Sequence, residues 1–138
     1  MPGEFLDSNV LVYAFTTDQR ALRAQELLDR GCAVGVQGLN EFTNVARRKL
    51  DMTWDEVGAA LTAIRALCRM VLPIDINTHT DALRIAERYG YGIFDALMVA
   101  SALRANCGVL WSEDMQDGIV IDGRLTIANP FHAINSST

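Results

Sequence analysis

The sequence predicts an α/β fold, a three-layer α/β/α sandwich around a mostly parallel sheet. Two observations carry that prediction. Short apolar runs alternate with longer segments of helical period along most of the chain, the pattern of strands joined by crossover helices that cover both faces of a sheet. No repeat, low-complexity tract or interdomain linker breaks the alternation, so residues 1–138 read as one domain around one core.

The elements follow in order. Phe5 and Leu6 open an apolar run that meets Asp7, and residues 10–15 continue it. Within residues 20–30 apolar side chains recur at Ala21, Leu22, Ala24, Leu27 and Leu28, the spacing of an amphipathic helix, and Gly31 closes it. Residues 33–36 predict a short strand. Leu39, Phe42, Val45, Ala46 and Leu50 then mark one face of a second helix, with Glu41 in or near its first turn. Arg47, Arg48 and Lys49 occupy its last turn, where positive charge suits the helix dipole. Thr53 and Glu56 form a capping box for a helix running to about residue 69.

Residues 71–76 read as a strand, and Pro73 places it at an edge or a strand end. Thr78 and Asp81 signal the cap of the next helix, which ends at Tyr89 and Gly90. Residues 95–106 are rich in Ala, Leu, Met and Val with few charges, which predicts a helix buried on most sides. Val109, Leu110 and Trp111 form a strand, and residues 112–118 a polar loop. Residues 119–121 and 125–127 flank Asp122-Gly123 and predict a terminal hairpin. Residues 135–138 read as a frayed tail.

Composition narrows the function classes. Half of the residues are hydrophobic and 21% are charged, values that exclude a disordered chain. No apolar run approaches the roughly 20 residues of a membrane helix. The N-terminus lacks the basic region of a signal peptide, which favours the cytoplasm. The cysteines, Cys32, Cys68 and Cys107, are odd in number and widely spaced. They suggest neither a disulfide framework nor a zinc knuckle, but buried free thiols in a reducing compartment. A net charge of −5 argues against a generic nucleic-acid binder, unless several acids cluster around a metal ion that offsets them.

Four acids share one kind of position. Asp7 follows the first strand, Glu41 opens the helix after the second, Asp95 opens the buried helix, and Asp114 follows the strand that ends at Trp111. In a doubly wound sheet these positions lie on one edge, beyond the carboxyl ends of the strands. Acids gathered there with no basic partner imply a hard divalent cation, because they would otherwise repel or protonate. Taken singly, each acid has a blander role as a helix cap. Asp7 is the least bland, lying within an apolar run. Asp95 is next, since its neighbours Ile93, Phe94, Ala96 and Leu97 leave a charge in need of a partner.

The same segments resemble a known family. Phe5-Leu6-Asp7-Ser8-Asn9-Val10-Leu11-Val12-Tyr13 is similar to the opening motif of PIN-domain proteins, an Asp followed by Ser or Thr and Asn. Leu39-Asn40-Glu41-Phe42 resembles their second acidic motif. The segment from Ile93 through Asp95 to Ala102 resembles the third, and Leu110-Trp111-Ser112-Glu113-Asp114-Met115 the fourth. The resemblance spans the chain from Phe5 to about Phe131. It implies a PIN α/β/α sandwich and a magnesium-dependent endoribonuclease, with Mn2+ as a substitute ion, that cuts RNA phosphodiesters with a metal-activated water. Within the family the chain is most similar to VapC-type toxins of type II toxin–antitoxin modules, which implies a cognate antitoxin protein and a homodimer. The metal ligands would fall on Asp7 and Asp95, with Glu41 and Asp114 completing the catalytic site and Asn9 and Ser112 supporting it. Asp117 is a further acid near the site, and Glu113 reads as a solvated neighbour of Asp114.

Two other functions compete. A catalytically silent PIN-like module would bind RNA or protein without cutting, which the presence of all four acids argues against. A phosphatase or receiver-like domain would use an aspartyl nucleophile, but position 9 is Asn where such phosphatases carry a second Asp. Among the remaining residues, Arg47, Arg48 and Lys49 could meet RNA phosphates. Arg20, Arg23 and Arg30 read as solvated charge. His79 and His132 lack ligand spacing and read as surface or capping residues. Tyr13, Trp54, Tyr89, Tyr91 and Trp111 are candidates for stacking on bases or for packing.

Overall fold

The computed structural model describes residues 3–136. The strands are β1 (Gly3–Leu6), β2 (Ala33–Gly35), β3 (Met70–Leu72), β4 (Cys107–Trp111), β5 (Val120–Ile121) and β6 (Leu125–Ala128). The helices are α1 (Ser8–Tyr13), α2 (Ala21–Asp29), α3 (Val36–Arg48), α4 (Trp54–Leu67), α5 (Ile76–Tyr89), α6 (Ile93–Arg104) and α7 (His132–Ser136). Among the described residues the strands form one sheet in the order β3-β2-β1-β4-β6-β5. Every pairing is parallel except β5 with β6. The fold class predicted from the alternation is therefore the one observed.

Alternation along the strands divides the core into two. Phe5 and Ala33 face one side, against Ala82 and Ile85 of α5 and the apolar run of α6. Leu6 and Val34 face the other, against Leu11, Leu27, Phe42, Val57 and Ile64 from α1, α2, α3 and α4. This is the period of two expected of strands covered on both faces. All residues from Ala96 to Leu103 are buried, so α6 is the enclosed helix its composition implies. Pro73 follows the edge strand β3, as a residue without an N–H should.

Two local expectations are corrected, at Val36 and at Ile76. The apolar run of residues 10–15, for its part, falls mainly in α1. Asp7 caps a helix there, and Val10, Leu11 and Ala14 turn inward at helical spacing. Val36 opens α3 rather than ending a strand, which leaves Glu41 in the second turn of α3, not its first. Ile76 opens α5, whose cap is Asp75: its carboxylate accepts from the Thr78 N–H and hydroxyl, both at 2.9 Å. Thr78 and Asp81 are thus inside the helix they were expected to cap.

Other signals hold. Thr53 and Glu56 make the full capping box. Gly90 ends α5 in the left-handed region at φ 76°, where glycine carries no Cβ penalty. Asp122 and Gly123 both take positive φ, and the Arg124 N–H donates to the Ile121 carbonyl at 3.0 Å, the geometry of a hairpin turn. Of the tail expected to fray, Asn135 and Ser136 belong to α7, and residues 137–138 lie outside the described residues. The cysteines are free, with Cys32 and Cys107 buried and Cys68 half-buried. Burial pushes the Cys32 thiol up to about 12 and the Cys68 thiol up to about 11, so neither is a reactive thiolate at neutral pH.

Candidate active site

The chain runs from β1 outward through β2 to β3, then returns to the other side of β1 at β4. The seam between β1 and β4 is therefore the point where the strand order reverses, and ligands bind beyond the carboxyl ends of strands at such a point. Leu6 pairs with Trp111 across it. The next residues, Asp7 and Ser112, consequently stand side by side, and the Asp7 N–H donates to the Trp111 carbonyl at 3.0 Å.

Asp7 is buried, only 5% exposed. Its Oδ1 accepts from the Ser8 N–H at 2.6 Å, and its Oδ2 from the Ser112 hydroxyl at 2.7 Å and the Asn9 amide at 3.3 Å. The cap and the site are thus one residue. Burial pushes Asp7 up to about 6; the Ser112 and Ser8 hydrogen bonds pull it back, and the charges on Glu41 and Asp114 push it up again. A carboxyl raised this far carries a desolvation penalty that its donors do not cancel.

The other acids gather around it. Glu41 lies on α3, where its Oε2 accepts from the Ser8 hydroxyl at 2.8 Å and its Oε1 from Gln37, one turn earlier, at 3.2 Å. Asp114 lies in the loop after β4 and accepts from the Asn9 amide at 3.2 Å. Asn9 therefore bridges Asp7 and Asp114 through one amide nitrogen. Asp95 stands in the first turn of α6 and is exposed, with no side-chain partner among the described residues. Its pKa is raised by desolvation first, then by Glu41 and Asp114. The apolar enclosure expected around Asp95 is absent, since Phe94 is itself exposed. No ion pair reaches Asp7, Glu41, Asp95 or Asp114 among the described residues.

All six residues singled out in the sequence, Asp7, Asn9, Glu41, Asp95, Ser112 and Asp114, thus converge at one end of the sheet. Asp117 does not join them. Its carboxylate accepts from the Asn129 N–H at 2.9 Å and lies 4.0 Å from His132.

The donor set fits a hard divalent cation in chemistry, since it offers carboxylate oxygens with no ion-paired cationic side chain among the described residues. Among the described residues no three His, Cys, Asp or Glu side chains form a group that could hold a metal by themselves. A magnesium ion that keeps several waters needs only one or two carboxylates, so the two statements agree.

With this geometry in view, the comparison with known families is decisive. Residues 5–116 match the PIN domain family. The chain belongs to the PIN-domain family. No curated protein matches the sequence. Among solved structures, this PIN domain is similar to the sarcin–ricin-loop-cleaving toxin VapC20 of Mycobacterium tuberculosis. The TM-score is 0.65 and the identity 18%, over 80% of this chain and 91% of that one. It is similar also to a toxin–antitoxin complex from Klebsiella pneumoniae (TM-score 0.70, 17% identity, 92% and 97% coverage). A third is DNA-bound VapBC from Salmonella typhimurium (0.68, 17%, 94% and 99%). At these identities the likeness establishes the shared fold.

Sequence reasoning missed several residues of this PIN domain. Ser8 was quoted within the first motif without a role, yet its backbone holds Asp7 and its hydroxyl holds Glu41. Gln37 gave a signal in its spacing, four residues before Glu41 on one helix face. Glu113 is not a solvated neighbour. It accepts from the Tyr13 hydroxyl at 2.8 Å and from Arg20 Nε at 2.9 Å, and its N–H donates to Asn9 Oδ1 at 3.3 Å. The arginines read as solvated charge are also paired: Arg20 with Glu113, Arg23 with Glu26, Arg30 with Glu4. The Arg23–Glu26 pair follows from its i,i+3 spacing on α2, whereas no local signal announces the long-range pairs of Arg20 and Arg30.

Proposed function

We propose that this PIN domain is a magnesium-dependent endoribonuclease, the toxin of a type II toxin–antitoxin pair, with Asp7, Glu41, Asp95 and Asp114 as its catalytic carboxylates. The observation that carries the reading is the convergence of four acids around the β1–β4 seam, none of them in an ion pair among the described residues. Asp7 is buried there at a cost in free energy, and a bound cation is what would offset it.

Asp7 and Asp95 would hold the ion, with Mn2+ able to stand in for Mg2+. The ion would supply positive charge to the phosphoryl group in its transition state and would acidify an attacking water. The remaining work belongs to the chain. Ser112 and the Ser8 N–H fix both oxygens of Asp7, so the carboxylate is preorganised. Ser8 and Gln37 hold Glu41, whose free acceptor positions orient a water or take its proton. Asn9 ties Asp114 to Asp7, so the loop acid tracks the strand acid.

The toxin reading draws support from the similar structures, among them a toxin that cleaves the sarcin–ricin loop and a toxin–antitoxin complex. It brings with it a protein antitoxin as inhibitor, self-association as a homodimer and a cytoplasmic site of action. No helix among the described residues is long and apolar enough to cross a membrane.

The test is cleavage of a panel of RNAs by the purified chain with Mg2+, Mn2+ or EDTA. Cutting is expected with either ion, none with EDTA, and none by Asp7→Asn or Asp95→Asn of native fold. Either variant cutting at the wild-type rate would overturn the assignment of roles. RNA binding without cutting under every condition would mark a silent binding module instead.

A further inference from the structure

We infer that the cleft leading from the four acids along α1 to the end of α3 seats one unpaired nucleotide of the RNA substrate, the one adjoining the bond that is cut. This rests on the nuclease reading above and adds where the chain grips its substrate. The cleft encloses about 600 Å³, within the range of roughly 300–1,000 Å³ usual for small-ligand sites. It opens onto the acids without a break, because Ser8, Asn9 and Asp114 line both.

Its lining has the two characters a nucleotide demands. Val12, Val45 and Leu50 present apolar surface, suited to the flat face of a base taken out of a stack. Lys49 is the one cationic side chain in that lining. It is exposed at the carboxyl end of α3, where the helix dipole favours its charge and a phosphate can reach it. Tyr13 contributes an edge rather than a stacking platform. Its hydroxyl is bound to Glu113, Arg20 lies over its ring at 5.2 Å, and Phe131 packs against it at 5.1 Å.

Position decides between this cleft and another concavity of comparable size. That second one is lined by Gly3, Glu4, Cys32 and Gly108, at the amino ends of β1, β2 and β4. An RNA whose scissile phosphate lies among the acids must place the next nucleoside within one residue's reach. The cleft along α1 continues from the acids, and the other does not.

The experiment uses a short single-stranded RNA that the enzyme cuts, with each nucleotide in turn replaced by an abasic ribose. Steady-state cleavage and fluorescence anisotropy are read on the same set. In the wild type, one abasic position beside the scissile bond should raise KM about 5- to 100-fold, the scale of one lost base contact. Val45→Trp fills the cleft, and should raise KM for the intact RNA and erase the difference between intact and abasic. Lys49→Ala, an exposed change that keeps the fold, should weaken binding of every RNA alike and reduce the slope of log affinity against log salt by about 1.

An equal abasic penalty in Val45→Trp and wild type would overturn the inference. So would RNA kinetics untouched by either variant while inhibition by the antitoxin is lost, because the cleft would then belong to a protein. If the wild type cuts no RNA yet binds intact RNA better than abasic RNA in a Val45-dependent way, the nuclease reading falls and the nucleotide seat stands.

Discussion

The Ser112 hydroxyl donates to Asp7 Oδ2 at 2.7 Å across the seam between β1 and β4, joining residues 105 apart in sequence. Both side chains are buried, so the bond is shielded from water. Ser112→Ala removes a donor from a buried carboxylate that keeps the Ser8 N–H and a longer bond from Asn9. The expected loss is about 1–3 kcal/mol of stability at pH 7, with Asp7 titrating higher than in the wild type. Chemical denaturation measures the first, and carbonyl-carbon NMR of Asp7 the second.

Asp7 also imposes a pH dependence on folding. Its folded value, about 6, lies above the ordinary 3.8. Between those values the native state keeps a proton that the unfolded chain has released. Stability without metal therefore falls as pH rises through that window, by up to about 3 kcal/mol from this group. Asp7→Asn removes the contribution. The difference in unfolding free energy between variant and wild type should grow in the variant's favour from pH 4 to pH 7 and then level off.

Removing a neighbouring charge should lower Asp7 in turn. Glu41 and Asp114 both push Asp7 upward, Glu41 the more strongly. Glu41→Gln should shift the Asp7 titration down further than Asp114→Asn, as read by the same NMR signal in metal-free protein. Both variants should lose RNA cleavage, and an Asp7 titration unmoved in both would mean the acids do not share one field.

The fold and the four acids were legible because each left a local mark: an apolar run, a helical period, a cap, or an acid just past a strand. Residues 10–15 could be read only as an apolar run, because Val10, Val12, Tyr13 and Phe15 are β-formers in a stretch too short to show a helical period. What made them helical was Asp7 acting as cap, a role fixed by tertiary position. Ile76 went the same way, through Asp75. The pairs Tyr13–Glu113 and Arg20–Glu113 span 100 and 93 residues. They arise only when α1, the start of α2 and the loop after β4 are brought together.

Magnesium should stabilise the protein as well as activate it. An ion that binds only the folded state, at 100 times its dissociation constant, adds about 2.7 kcal/mol. A Mg2+-dependent rise in Tm is expected for the wild type and for Lys49→Ala. It should vanish in Asp7→Asn and Asp95→Asn. Calorimetric titration of the same proteins checks it, and equal Mg2+ affinity in wild type and Asp95→Asn would remove Asp95 from the ion's ligands.

The last prediction concerns the tether of the loop that carries Asp114. Glu113 is held by Arg20 Nε and by the Tyr13 hydroxyl, and burial followed by the Glu113 bond pushes Tyr13 up to about 12, so the phenol remains a donor at every working pH. Neither Arg20 nor Glu113 is among the four acids. Arg20→Met keeps much of the packing over the Tyr13 ring but removes the Arg20 Nε bond to Glu113. Ion pairs open to solvent contribute little to stability, so the fold should survive with a small drop in Tm. Catalysis should suffer more, because Asp114 follows Glu113 directly and a displacement of about 1 Å in a reacting group can cost on the order of 100-fold. A fall in kcat of about 10- to 100-fold with KM nearly unchanged is expected. Tyr13→Phe, which leaves the arginine in place, should cost less. A variant that lost stability and KM in proportion to kcat would show the tether to be a strut of the fold and not a device that places Asp114.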